Sequence, residues 1–120
     1  MSVDSRMLQV HRLASRAELE QLFRRGRMTD SALFRLAAQR NPYGHLRLAL
    51  VASRAADKSA VARNRMRRRA REWVRTHPRI TGMPYDAAII FKKQAAGASR
   101  SVFYQDLERI LSMLILPKEV

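Results

Sequence analysis

The stretch AVARNRMRRRAREWVR at positions 60–75 decides how the rest of the chain must be arranged. At about 100° per residue, Ala62, Met66, Ala70, Trp73 and Val74 gather on one face of a helix. Asn64, Arg67, Arg68, Arg71 and Arg75 gather on the opposite face. Arg63, Arg65 and Arg69 flank the apolar stripe, where their stems cover apolar surface while the guanidinium heads reach outward. The helix is expected from about Ser59 to Thr76, closed before Pro78. Its apolar stripe has to dock, and a sheet is the natural surface for it.

Strand signals lie on both sides of this helix. Leu33 to Gln39 alternates, with Phe34, Leu36 and Ala38 on one face and Leu33, Arg35 and Ala37 on the other. Asn41-Pro42-Tyr43-Gly44 is turn chemistry. Leu46 to Ser53 then reads as a return strand, so the two are expected to form a hairpin. After Gly82 and Pro84, the short apolar run Asp86 to Phe91 suits a central strand. Helices are expected at both ends. Ser15-Arg16-Ala17-Glu18 fits a capping box, opening a helix that buries Leu19, Leu22 and Phe23 and ends at Gly26. Phe103, Leu107, Ile110, Leu111 and Leu114 repeat at helical spacing after a polar loop from Lys92 to Arg100. The order is helix, two or three strands, helix, strand, helix, an α+β sandwich with one sheet and helices packed on it. Residues 1–12 read as a poorly ordered tail and 1–120 as a single domain.

The 120 residues carry 24 Lys+Arg against 10 Asp+Glu, a formal net charge of +14. Lysine occurs only at positions 58, 92, 93 and 118, so arginine supplies the other 20 cations. Such a charge repels itself and points to a polyanionic partner. The absence of cysteine excludes disulfide scaffolds, thiol catalysis and thiolate zinc sites. No apolar run reaches membrane-spanning length, and the N-terminus lacks a signal-peptide core. A cytoplasmic nucleic-acid binder with no membrane partner and no small-molecule substrate is the expectation. Seven arginines fall between positions 63 and 75, and Glu72 is the only acid among them. The basic face therefore lacks carboxylates to neutralise it, and guanidinium forks match phosphate oxygens.

The order of residues in this helix is more specific than its charge. Ala60-Val61, Arg63-Asn64-Arg65, Arg67-Arg68, Arg71-Glu72 and Arg75 resemble the signature of the bacterial ribonuclease P protein family. The likeness extends from Arg12-Leu13 to the last helix, through Phe23-Arg24-Arg25-Gly26 and Ile89-Ile90-Phe91-Lys92. It implies one four-stranded mixed sheet with three helices, the ribosomal protein S5 domain 2-like fold, and a left-handed βαβ crossover. It also implies a role in removing the 5′ leader of precursor tRNA, with ribonuclease P RNA and precursor tRNA as partners. In that reading the RNA performs the cleavage and holds the magnesium ions. Arg63, Asn64, Arg65, Arg67, Arg68, Arg71 and Arg75, with Arg54 and Lys58 in the preceding loop, become the candidate RNA contacts. Phe23, Phe34 and Lys92 become candidates for a cleft that takes the single-stranded leader. Leu19 and Ala37 stand where the family commonly has aromatic residues, so stacking is expected to contribute less here and charge more.

A protein-based nuclease would need grouped carboxylates or a histidine acid–base pair. The carboxylates are scattered instead, and His11, His45 and His77 show no ligand spacing. Two other functions stay open on composition alone. One is a general RNA-binding or ribosomal protein. The other, a DNA-binding regulator, is disfavoured because a groove-reading helix varies its side chains and this one is nearly all arginine.

Overall fold

The computed structural model describes residues 10–13 and 15–114. Its strands are β1 (His11–Arg12), β2 (Arg27–Asp30), β3 (Phe34–Arg40), β4 (Arg47–Val51) and β5 (Tyr85–Phe91). Its helices are α1 (Arg16–Arg25), α2 (Ala60–Arg75), α3 (Pro78–Thr81), α4 (Lys93–Ala96) and α5 (Arg100–Leu111), with a 3₁₀ turn at Ser112–Leu114. The strands form one mixed sheet in the order β1-β4-β5-β3-β2. The expected sheet was one strand short and the helices two short. The extra strand β1 falls at the end of the presumed tail, and the rest of that tail, residues 1–9, lies outside the described residues. The extra helices, α3 and α4, span four residues each, too short to show a period.

The expected hairpin does not form. β5 sits between β3 and β4, antiparallel to the first and parallel to the second. Ala87, Ala88 and Ile89 are buried, so this strand needs cover on both faces and neighbours on both edges. The turn at Asn41–Gly44 is real, but it bridges two strand spacings, roughly 10 Å, rather than one. Its backbone partners accordingly come from the segment before β5: Asn41 N–H donates to Pro84 O at 2.8 Å and Leu46 N–H to Thr81 O at 2.9 Å.

Alternation along the strands gives the sheet two unlike faces. Phe34, Leu36, Leu48, Ala87, Ile89 and Phe91 face α2 and α5, forming the large core with Met66, Ala70, Trp73, Val74, Phe103, Leu107 and Ile110. On the other face Ala49, Ala88 and Ala37 stand side by side across β4, β5 and β3. These three small side chains let α1 lie close, with Leu22 and Leu13 against them. α1 leaves the sheet at Gly26, where a Cβ would come within 2.5 Å of Leu22 O and 3.1 Å of Ala38 O. Close approach, not a left-handed backbone, is what requires glycine there. The chain thus passes from α1 into β2 with no intervening loop. Asp106 on α5 is buried and accepts hydrogen bonds from Ser31 Oγ (2.6 Å) and Leu33 N–H (2.9 Å), tying the β2–β3 connection to α5.

Candidate nucleic-acid interface

Ser59 caps α2, its side chain accepting from Ala62 N–H at 3.2 Å. Met66, Ala70, Trp73 and Val74 are the buried residues of this helix, the face expected from their spacing. With that face fixed on the sheet, the arginines separate into two flanks rather than one ridge. Arg67 and Arg71 turn toward β4, while Arg65, Arg68 and Arg69 turn toward α5.

The first flank overhangs a groove of about 350 Å³ lined by Leu13 and Leu19 on one side, Ala49 and Val51 on the floor, and Arg67 and Arg71 on the other side. Phe23 lies one turn beyond Leu19 on the same side of α1. It is 38% exposed, although the amphipathic pattern of α1 predicts burial. Past α1, the same sheet face carries Val51, Ile90, Arg35 and Asp30 in register across β4, β5, β3 and β2. The result is a channel whose floor is apolar at Ala49, Val51 and Ile90 and charged at Arg35 and Asp30, with α1 and its exposed Phe23 on one side and the Arg67 and Arg71 guanidinium groups on the other. Such a channel suits a single strand, whose bases seek apolar and aromatic surface while its phosphates seek cations.

The candidate residues of the sequence differ in their contacts and exposure. Arg63 donates to the carbonyls of Asp57 and Lys58, both at 3.0 Å, and so holds the loop before α2. Arg67 donates to Asn64 Oδ1 at 2.7 Å and Ala52 O at 3.2 Å. Asn64 thereby commits its carbonyl and keeps its amide N–H groups for a partner. Arg75 pairs with Glu72 at 2.6 Å. The side chains of Arg54, Lys58, Arg65, Arg68 and Arg71 are exposed and make no hydrogen bond or ion pair among the described residues. Phe34 must be withdrawn from the cleft. It is 0% exposed and packs edge-on against Phe91 and Phe103, at 5.7 and 5.1 Å between ring centres. Its position in the strand sends it to the α2/α5 face, the wrong side of the sheet. Lys92 lies at the end of the channel, where Nζ donates to Ser31 O at 2.8 Å and pairs with Asp30 at 3.1 Å. Asp30 also receives Arg35 at 2.9 Å, and hydrogen bonds from Arg35 and then Lys92 hold its carboxyl below the usual carboxylate range.

Strand spacing concealed one further group. Arg47 forks onto Asp86 at 2.7 and 2.8 Å and reaches Glu18 on α1 at 3.1 Å. Ser15 Oγ does cap α1 by accepting from Glu18 N–H, but the Glu18 carboxylate is drawn to Arg47 rather than being confined to a capping box. Burial opposes ionisation of Asp86, yet hydrogen bonds from Arg47 and Asn41 and the charges of Arg47 and His45 outweigh it and depress its pKa. A depressed carboxylate stabilises the fold above its unfolded pKa, and this contribution disappears as pH falls through the folded value. The Tm of the wild type should therefore drop as pH falls below about 4, the ordinary carboxylate range. Asp86→Asn should show a shallower drop across the same window, and an identical one would remove Asp86 from the account.

Among the described residues no three His, Cys, Asp or Glu side chains group closely enough to hold a metal ion. None of the described helices is long and apolar enough to cross a membrane.

A family model for ribonuclease P matches residues 7–115 of the chain. The chain belongs to the ribonuclease P protein family. It is 33% identical over 103 residues to the ribonuclease P protein component of Desulfosudis oleivorans, covering 86% of this chain and 81% of that one. Its fold matches the RNase P protein of Staphylococcus aureus with a TM-score of 0.79 at 22% identity, over 88% of this chain and 95% of that one. The RNase P protein of Thermotoga maritima matches at 0.77 and 21% identity, over 86% and 96% of the two chains. Within the ribonuclease P protein family, then, this member carries its arginines on a helix that faces both a channel and an open surface.

Proposed function

We propose that this chain is the protein subunit of a ribonuclease P ribonucleoprotein, which removes the 5′ leader from precursor tRNA. The observation that carries this reading is the channel between α1 and α2. One flank of the arginine helix faces a groove fit for a single strand, and the other stays free for a folded RNA. In this division Arg65 and Arg68, with Asn64, Arg54 and Lys58 nearby, hold the catalytic RNA. Arg67, Arg71, Phe23 and Lys92 line the path of the leader.

In this reading the RNA holds the magnesium ions, which would supply metal-assisted hydrolysis there. The protein's contribution is binding and orientation, which place the scissile bond by holding the strand beside it. A left-handed β4-α2-β5 crossover, which the family likeness implies, is part of the same proposal.

The leader assignment has its own test. Adding the protein to the catalytic RNA should raise affinity for precursor tRNA but not for mature tRNA, and Phe23→Ala should reduce that difference by roughly tenfold. Equal gains for both substrates would show that the channel does not hold the leader.

A further inference from the structure

A second recess lies on the flank of α1 opposite the channel. At about 100° per residue, Leu22 points to the sheet, Leu19 and Phe23 fall to one side of it, and Glu18 and Gln21 fall to the other. On that other side, α1 and the β3–β4 connection enclose a cavity of about 260 Å³, lined by residues that include Gln21, Gln39, Arg40, Tyr43 and Arg47. Tyr43 is 51% exposed, which is unusual for so large a ring. One of its faces is occupied by the Arg47 guanidinium, with Cζ 4.4 Å from the ring centre.

This exposed ring is held on a braced support. Asn41 Nδ2 donates to His45 O at 3.0 Å and to Asp86 Oδ1 at 2.9 Å, while Asn41 Oδ1 accepts from Tyr43 N–H at 2.9 Å. Gly44 closes the turn with a φ of 77°, in the left-handed region. Behind it, the Arg47 fork is fixed by Asp86 and Glu18. A braced aromatic loses little conformational entropy when a ligand lands on it. The walls supply hydrogen-bonding groups as well. The side-chain amides of Gln21 and Gln39 have no partner among the described residues, and each offers both a donor and an acceptor. Arg40 stands exposed at the rim without a carboxylate partner among the described residues, near the ring of Tyr85 at 5.7 Å.

We infer that this recess takes one unpaired nucleotide of RNA, its base stacked on Tyr43 and hydrogen-bonded by Gln21 or Gln39, its phosphate on Arg40. The inference rests on the RNA-binding reading above and adds a second, base-directed contact outside the leader channel. A flat ring flanked by amides suits a base edge, while a single rim arginine suits one phosphate rather than a run of them. The same chemistry fits an unpaired nucleotide of the catalytic RNA or of precursor tRNA.

The test uses the full chain as wild type, Tyr43→Phe, Tyr43→Leu, Tyr43→Ala and Gln21→Ala. Two affinities are measured, that of the protein for the catalytic RNA alone and that of the assembled holoenzyme for precursor tRNA, with Tm as the control for folding. Tyr43→Leu and Tyr43→Ala should weaken one of these affinities by roughly tenfold, Gln21→Ala by a smaller factor, and Tyr43→Phe should bind as wild type. The affinity that changes identifies which RNA supplies the nucleotide. The salt dependence should stay as steep as in the wild type, because stacking displaces no counterions. Gln21 is exposed on the outer side of α1, so its substitution tests the recess even if Tyr43→Ala disturbs the Arg47 support. Wild-type affinities in Tyr43→Leu, Tyr43→Ala and Gln21→Ala would overturn this inference alone. A wild-type protein that binds neither RNA would overturn the RNA-binding reading and this inference together.

Discussion

Trp73→Ala lowers the stability of the protein by about 3–5 kcal/mol, the cost of emptying a buried aromatic site. Trp73 is buried on α2 within the core beneath the sheet, and its indole stacks on His77 with ring centres 3.7 Å apart. The end of the helix is organised around the same residue. Thr76 N–H and Oγ1 both donate to Trp73 O, and His77 Nδ1 lies 2.6 Å from it. Removing the indole therefore opens a cavity where α2 turns toward α3. Because Trp73 and Met66 fix which side of α2 meets the sheet, they also fix where the arginines point. Urea or thermal unfolding measures the effect directly, and Trp73→Phe should lose less. Unchanged stability in Trp73→Ala would contradict the orientation of α2 on which both arginine flanks depend.

The second large effect is electrostatic. Replacing Arg65, Arg67, Arg68 and Arg71 together by alanine removes four cations from the two flanks while leaving Met66, Ala70, Trp73 and Val74 in the core. Each phosphate contact contributes roughly 0.7–0.9 to the slope of log affinity against log salt. The slope for catalytic RNA bound with its leader-bearing substrate should therefore become shallower by about three to four. Stability should hold or rise, since like-charge repulsion along the helix is relieved. A slope equal to the wild type would remove all four from the interface. Between the flanks the effects should separate: Arg65→Ala and Arg68→Ala weaken the catalytic RNA, and Arg67→Ala and Arg71→Ala weaken the leader.

What could be read from the sequence followed the reach of its signals. The α2 face was legible because five apolar residues repeat at helical spacing over 13 positions, and the core cluster confirms it for Met66, Ala70, Trp73 and Val74. β5 as a central strand was legible because its run is apolar on both faces. Strand pairing was not. The Asn41–Gly44 turn chemistry fixes a reversal but not its width, so β5 could enter between two strands that looked like partners. β2 was hidden because close approach at Gly26 replaces the loop that would have announced it. The two phenylalanines show the same limit from another side. Alternation places Phe34 with Leu36 and Ala38 but does not say which layer that face meets, and the face met the large core. Phe23 went the other way, because the alanine row beneath α1 is too narrow to cover all three of its apolar side chains. Arg47, Asp86 and Asn41 come from separate segments, and no local pattern relates them.

The central claim is that the charge of +14 serves RNA binding beside an RNA catalyst. Its most direct measurement is the rate of leader removal from precursor tRNA by the catalytic RNA at limiting magnesium, with and without this protein. The account predicts that the protein raises the rate, and that the four-arginine variant, folded but weakly bound, raises it far less. A protein that binds the catalytic RNA and leaves the rate unchanged would contradict the account and make this chain an RNA-binding protein without a processing role.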